Sequence, residues 1–215
     1  MEFVNRLFRS EWYKRDEKIG SSRIVRDWSA RYWFPLISLC QGFRPSEISG
    51  LMLDDVYYDD GLLAFRIKEG KTEATNRSVS VHQKLIDLGF DQWLAGRKKR
   101  GGKLLLDVFE SYERNNDAFT QKFNRYIRDK LDATAGYTTY SFRHLWEDTR
   151  RAAIAQHQNA AWPPGMRAQI SGREDGQKEE GSAGDYGNGY SVKSMKPYLD
   201  SVWNSQILLP KPYEA

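Results

Sequence analysis

The sequence predicts an α+β fold, mainly helical, with a small three-stranded antiparallel sheet inserted among the helices. Three observations predict it. Apolar residues recur at helical spacing over long stretches on both sides of the chain's middle. Between residues 56 and 81 the pattern switches to short strand-like runs punctuated by Asp-Gly and Gly. And 40% hydrophobic with 29% charged residues, in 215 residues, fits one globular domain with a small extension rather than a disordered chain.

Residues 1–22 are polar and mixed, with Phe3, Leu7, Phe8 and Trp12 as apolar points, and read as an arm packed on the domain. Gly20-Ser21-Ser22 punctuates it. Over 24–41, Trp28, Tyr32, Trp33, Leu36, Ile37, Leu39 and Cys40 repeat as one helix would, with Pro35 expected to kink or divide it and Gly42 to end it. Pro45 suits the first turn of a short helix to about Leu51. Val56-Tyr57-Tyr58, the turn Asp59-Asp60-Gly61 and residues 62–67 form a hairpin. A second turn at Glu69-Gly70-Lys71 leads to a third strand over 77–81. Helices are expected over 83–88 and 91–98, then a basic, glycine-containing loop over 97–103. Asn116 can cap a helix to about Ala133, with Phe119, Phe123, Tyr126, Ile127 and Leu131 on its buried face. Further helices are expected over 141–154, 164–170 and 191–202. The stretch 171–189 is rich in Gly, Ser, Asp and Glu and reads as a mobile loop, and 205–215 as a C-terminal tail.

Several function classes drop out. The longest apolar run, 32–40, is too short to span a bilayer and holds Pro35. Charges among the first residues do not suit a signal peptide. The single cysteine, Cys40, excludes an internal disulfide and a multi-cysteine metal site, and three histidines leave little for a His-based one. Gly70-Lys71-Thr72 lacks the earlier glycine of a phosphate-binding P-loop, since Phe65 stands there. Asp54-Asp55 and Asp59-Asp60 could suggest metal ligands, but Asp59-Asp60 sits in a hairpin turn, where aspartate is favoured for local hydrogen bonds. Net charge of +4 and a pI near 9.0 permit a polyanionic partner.

One distributed pattern points further. It runs Gly42-Phe43-Arg44-Pro45-Ser46-Glu47-Ile48-Ser49-Gly50-Leu51, then Asp54-Asp55-Val56 and a hairpin. Lys71-Thr72 and Arg77-Ser78-Val79-Ser80-Val81-His82 follow, then Tyr140-Ser141-Phe142-Arg143-His144 opening a helix, then Asp185-Tyr186-Gly187-Asn188-Gly189-Tyr190-Ser191. In this order and spacing, residues 7–202 resemble the catalytic domain of tyrosine recombinases, the phage-integrase family, of prophage type.

The resemblance implies a tyrosine-recombinase catalytic fold over 23–204 and site-specific cleavage and rejoining of double-stranded DNA at attachment-type sites. In that chemistry a tyrosine attacks a backbone phosphate, forms a 3′-phosphotyrosyl bond and releases a 5′-hydroxyl, with no cofactor or metal. It implies Tyr186 as nucleophile, ahead of Tyr190, which is expected to pack. It implies Arg44 and Arg143 on the non-bridging oxygens, where a planar guanidinium fork suits two oxygens of an anion. Lys71 is implied as the acid for the departing oxygen, with Lys68 the nearest substitute. Glu47, three residues after Arg44, is expected to orient Arg44 or a neighbouring basic residue. Lys68, Arg77, Arg97, Lys98, Lys99 and Arg100 are the expected DNA contacts.

Two positions depart from the family pattern. Tyr140 stands where a histidine usually precedes the second arginine, and Gly172-Arg173 replaces the usual glycine-histidine. Tyr140 and Arg173 are carried as active-site residues, a hydrogen-bonding phenol and an added cation. His144 belongs to another side of its helix. These departures motivate an alternative, a catalytically impaired DNA-binding relative of the same fold. A type IB topoisomerase-like relaxing enzyme is the other. The family also implies a homotetramer on DNA, a monomer when free, a bacterial cytoplasmic and DNA-associated setting, and the absence here of the helical core-binding domain that usually precedes this one.

Overall fold

A computed structural model describes residues 1–20, 27–68, 76–112, 116–131, 136–156, 162–172 and 189–214. The first helix, α1 (Glu2–Arg9), buries Phe3, Val4, Leu7 and Phe8. It leads through a 3-10 turn (Glu11–Tyr13) that places Trp12 in the core. The N-terminal segment thus contributes residues to the core. Trp12 is boxed by Phe119, Phe123 and Tyr126.

Helix α2 (Trp28–Gln41) is buried nearly all round and begins on Asp27, whose carboxylate accepts from the Ala30 N–H at 2.6 Å. Of the kink or division expected at Pro35, the division does not occur: the helix is continuous through it. Proline has no N–H for the carbonyl four residues earlier, that of Arg31. The Trp12 indole N–H fills the gap, donating to the Arg31 carbonyl at 3.0 Å. The helix tolerates its proline because another segment supplies the missing donor.

Helix α2 ends at Gly42 (φ +67°), and α3 (Pro45–Gly50) follows at once. The strands β1 (Val56–Asp59), β2 (Leu62–Ile67) and β3 (Arg77–Ser80) form one antiparallel sheet in that order. Asp60 (φ +48°) and Gly61 (φ +78°) both turn left-handed between paired Asp59 and Leu62. That conformation matches the right-handed twist of the flanking strands. Val56, Phe65, Ile67 and Val79 press into the core.

Helices α4 (Gln83–Asp87) and α5 (Phe90–Arg100) follow. Residues 97–100, expected in a basic loop, form the last turn of α5, and the chain turns only at Gly101. Then α6 (Asn116–Lys130), α7 (Tyr140–Gln156), α8 (Met166–Ser171) and α9 (Val192–Asp200) complete the fold. The arrangement is mainly helical with a three-stranded antiparallel sheet, as the sequence predicts. Helix α7 packs on α2, and β3 packs on α8 and α9. The C-terminal residues fold back on their own chain. The Tyr213 N–H donates to the Leu88 carbonyl at 2.9 Å, and its ring lies among Trp28, Tyr32 and Trp33. Among the described residues, no helix is long and apolar enough to cross a membrane.

Candidate functional site

The site is built around the corner where α2 passes into α3. Gly42 is required there twice over. Its positive φ favours glycine, and a Cβ on it would lie 2.7 Å from Cδ2 of Trp146 on α7. One turn before Trp146, Arg143 points into the same corner. It is 2% exposed, and its Nη1 donates to the Gly42 carbonyl at 2.5 Å.

Two residues beyond Gly42, Arg44 flanks the start of α3 in extended conformation. The Glu47 carboxylate reaches back and accepts from the Arg44 backbone N–H at 2.6 Å, as an acidic residue at the third helical position commonly does. The same carboxylate accepts from Arg44 Nη1 at 2.8 Å. It also accepts from Arg77 Nη2 at 2.8 Å. Arg77, on β3, is buried, with its guanidinium over the Phe43 ring. Burial pulls its pKa below the ordinary arginine value, and the Glu47 charge opposes that pull. Arg44 Nη2 donates to the carbonyl of Gly172, which ends α8.

Segments 42–47, 77, 143 and 172, far apart in sequence, thus meet at one corner. Arg44 is 38% exposed in its side chain while Glu47 and Arg77 lie beneath it at 9% and 7%. One partly open guanidinium therefore rests on a buried carboxylate and a second buried guanidinium. This arrangement presents positive charge outward to an anion.

The other expected residues distribute as follows. Tyr140 stands half-exposed at the first turn of α7, just before Arg143. His144 is exposed, away from the Gly42 corner that Arg143 enters. Tyr190 packs, its hydroxyl donating to the Pro164 carbonyl at 2.7 Å. Lys71, Arg173 and Tyr186 lie outside the described residues. Lys68 is half-exposed and pairs with Asp55 at 2.8 Å. Lys98, Lys99 and Arg100 are exposed, with Lys98 Nζ donating to the Val56 carbonyl at 2.6 Å.

Two expected surface contacts need correction. Arg77 faces Glu47 rather than solvent, because strand alternation puts it on the face of Val79. Arg97 is 2% exposed and donates to the carbonyls of Leu104 at 2.8 Å and Leu105 at 3.2 Å. Helical spacing places it one turn beyond Trp93 and Leu94 on the buried side of α5.

The sequence reading missed Gln169 and Gln41. Gln169 of α8 accepts from the Tyr190 N–H at 2.7 Å and donates to the Tyr190 carbonyl at 2.8 Å, fixing the chain where it re-enters before α9. Gln41 donates to the Ser80 carbonyl and accepts from the His82 N–H, both at 2.9 Å, pinning α2 to the end of β3. Nothing local in the sequence marks either residue.

No protein-family profile and no curated protein matches the chain. A similar solved structure is the XerH site-specific recombinase bound to palindromic difH substrate in a post-cleavage complex, at 16% identity and a TM-score of 0.49. The alignment covers 92% of this chain and 47% of that one, so the chain spans about half the length of that protein.

Proposed function

We propose that this chain cuts and rejoins DNA strands by tyrosine-recombinase chemistry, and that the corner formed by Arg44, Glu47, Arg77 and Arg143 is its phosphate site. The observation that carries the reading is the meeting of Arg44 and Arg143 at the Gly42 corner, although 98 positions of chain lie between them. A phosphodiester bears one negative charge, and attack by a phenolate adds another. Fixed guanidiniums can meet both charges without reorganising during the reaction.

In the proposed reaction the Tyr186 hydroxyl gives up its proton to solvent, its oxygen bonds to phosphorus, the bond to the 5′-oxygen breaks, and Lys71 gives that oxygen its proton. The 3′-phosphotyrosyl link conserves the bond energy, and a second strand's 5′-hydroxyl reverses the step. Arg173 follows Gly172 directly in sequence, and Gly172 is the residue Arg44 holds, which suits Arg173 as an added cation. The exposed cations Lys98, Lys99 and Arg100 suit contact with phosphates along the duplex. A homotetramer on attachment-type sites, a mobile-element role and a bacterial cytoplasmic setting belong to the same proposal.

A second reading has its own observation. Arg143 is buried and bonded to a main-chain carbonyl, and a half-exposed phenol, Tyr140, stands in place of the usual histidine. That arrangement suits a DNA-binding relative that has lost catalysis. A nicked duplex pool of randomised sequence separates the two. The strand-transfer reading expects a covalent protein–DNA adduct that Tyr186→Phe abolishes. Binding with no adduct from any sequence supports the second reading. Relaxation of plasmid without sequence preference supports a topoisomerase-like enzyme.

A further inference from the structure

Arg77 belongs to the proposed phosphate site but takes no step in the chemistry just described, and it pairs with the carboxylate on which Arg44 rests. We infer that Arg77 is a positioning and charge-compensating residue: it takes up the charge of Glu47, so that Arg44 meets a DNA phosphate with its own charge undiminished. The inference rests on the phosphate-site reading above and deepens it.

The geometry is specific. One Glu47 oxygen, Oε1, accepts from both Arg44 Nη1 and Arg77 Nη2, each at 2.8 Å, and Oε2 accepts from the Arg44 backbone N–H at 2.6 Å. Glu47 therefore orients Arg44 through side chain and backbone together. Orientation alone has a cost for the proposed task. An Arg44–Glu47 pair carries no net charge, and its carboxylate would repel the phosphate that the guanidinium is there to bind. Among these three side chains, Arg77 offsets the carboxylate charge.

The placement of Arg77 fits this role. It is nearly sealed from water, and β3 and the Phe43 ring flank it, so it can touch Glu47 but is not presented to a duplex. Arg44, which shares the Glu47 acceptor, is the more open of the two guanidiniums. Burial lowers the pKa of Arg77, the Glu47 charge opposes that pull, and the guanidinium stays protonated.

The test is a charge-rescue series: Arg77→Met, Arg77→Lys, Glu47→Gln and the double variant Glu47→Gln/Arg77→Met. Two readouts are measured, the rate of adduct formation on the nicked duplex pool and the salt dependence of binding to an uncut random-sequence duplex. A unit charge about 6 Å from a phosphate, at an effective dielectric constant of about 20, alters its binding about a hundredfold, and water around the partly open Arg44 reduces this to about tenfold. Arg77→Met is therefore expected to slow adduct formation by about tenfold and to lower the magnitude of the salt slope by about 1. The double variant, which removes both buried charges, is expected to regain at least about threefold in rate and to recover the slope. Arg77→Lys, which keeps the charge, stays within about threefold of the unsubstituted chain.

A double variant no better than Arg77→Met overturns the inference, as does a loss in Arg77→Lys as large as in Arg77→Met. Melting curves show which variants fold. If Arg77→Met does not, the double variant and Arg77→Lys are judged against the unsubstituted chain, and a loss of about tenfold in either overturns the inference. If the unsubstituted chain binds duplex but forms no adduct, the strand-transfer reading falls and the salt slopes alone judge the compensation. If it forms an adduct and the rescue fails, the compensation falls and strand transfer stands.

Discussion

Replacing Gly42 with alanine puts two separate penalties on the joint that carries the proposed phosphate site. The backbone there has φ of +67°, and a Cβ in that region costs about 1 kcal/mol or more. The added Cβ would also stand 2.7 Å from Cδ2 and 2.9 Å from Cε3 of Trp146, a side chain 1% exposed. Relieving such a clash in a packed core costs about 1–3 kcal/mol. The two together give about 3 kcal/mol, which for a chain of this size lowers the melting temperature by about 6–12 °C. Differential scanning calorimetry measures it directly. Because the clash is with one ring, Gly42→Ala and Trp146→Phe should be non-additive, the smaller ring absorbing part of the alanine penalty. Gly42→Ala should also shift the Gly42 carbonyl that receives Arg143 and so weaken duplex binding beyond the stability loss. An alanine variant melting within about 2 °C of the unsubstituted chain refutes the reasoning.

Two further outcomes are expected. His82 is buried with its pKa lowered to about 4, chiefly by burial and further by Lys196 and Lys84, while Asp200 opposes the shift; its Nδ1 accepts from the Lys84 N–H at 3.0 Å, so the buried ring is neutral. The unfolded chain takes up this proton near pH 6.5 and the folded chain only near 4, so stability present above pH 6.5 falls by about 3 kcal/mol on acidification to about pH 4; urea melts should show the loss, and His82→Gln should flatten it. Within the basic run of α5 the arginines and lysines should part company: Arg97→Met should cost about 2–4 kcal/mol by orphaning buried carbonyls, whereas Lys99→Ala and Arg100→Ala should leave melting unchanged and each lower the salt slope of duplex binding by about 1.

What the sequence made legible was local. The hairpin at Asp60-Gly61 follows from two residues that tolerate positive φ between strand-forming runs, so its register needs no information from elsewhere. The Arg44–Glu47 contact follows from a spacing of three at a helix start. Gly42 as a terminator was likewise readable, but the Trp146 ring over it was not, since nothing near Gly42 encodes a helix arriving a hundred residues later. The unbroken course of α2 through Pro35 depends on Trp12, a donor from outside the helix. The inward turn of Arg97 and Arg77 was within reach. Each sits at the period of its own element, Arg97 with Trp93 and Leu94, Arg77 with Val79, and here periodicity outweighs charge. A guanidinium with enough carbonyl or carboxylate acceptors can be buried, and the acceptors come from segments that the local pattern does not display.

The electrostatic arrangement of the corner bears on why arginines, rather than mobile lysines, occupy it. Arg44, Arg77 and Arg143 gather with Glu47 at this corner, and on the proposed chemistry a phosphodiester meeting a phenolate brings two negative charges to it. Flexible surface cations could match that number, but each would have to be ordered as the phosphate arrived, at a cost in side-chain entropy. Here the ordering is part of folding. Arg143 is fixed by the Gly42 carbonyl, Arg44 by Glu47 and Gly172, and Arg77 by Glu47. The acceptors that fix Arg44 and Arg143 most directly are main-chain carbonyls and a carboxylate whose charge Arg77 offsets, so orientation is obtained without cancelling the field. A site that held its arginines with uncompensated carboxylates would be equally rigid, yet it would lose the attraction for phosphate that makes the rigidity useful.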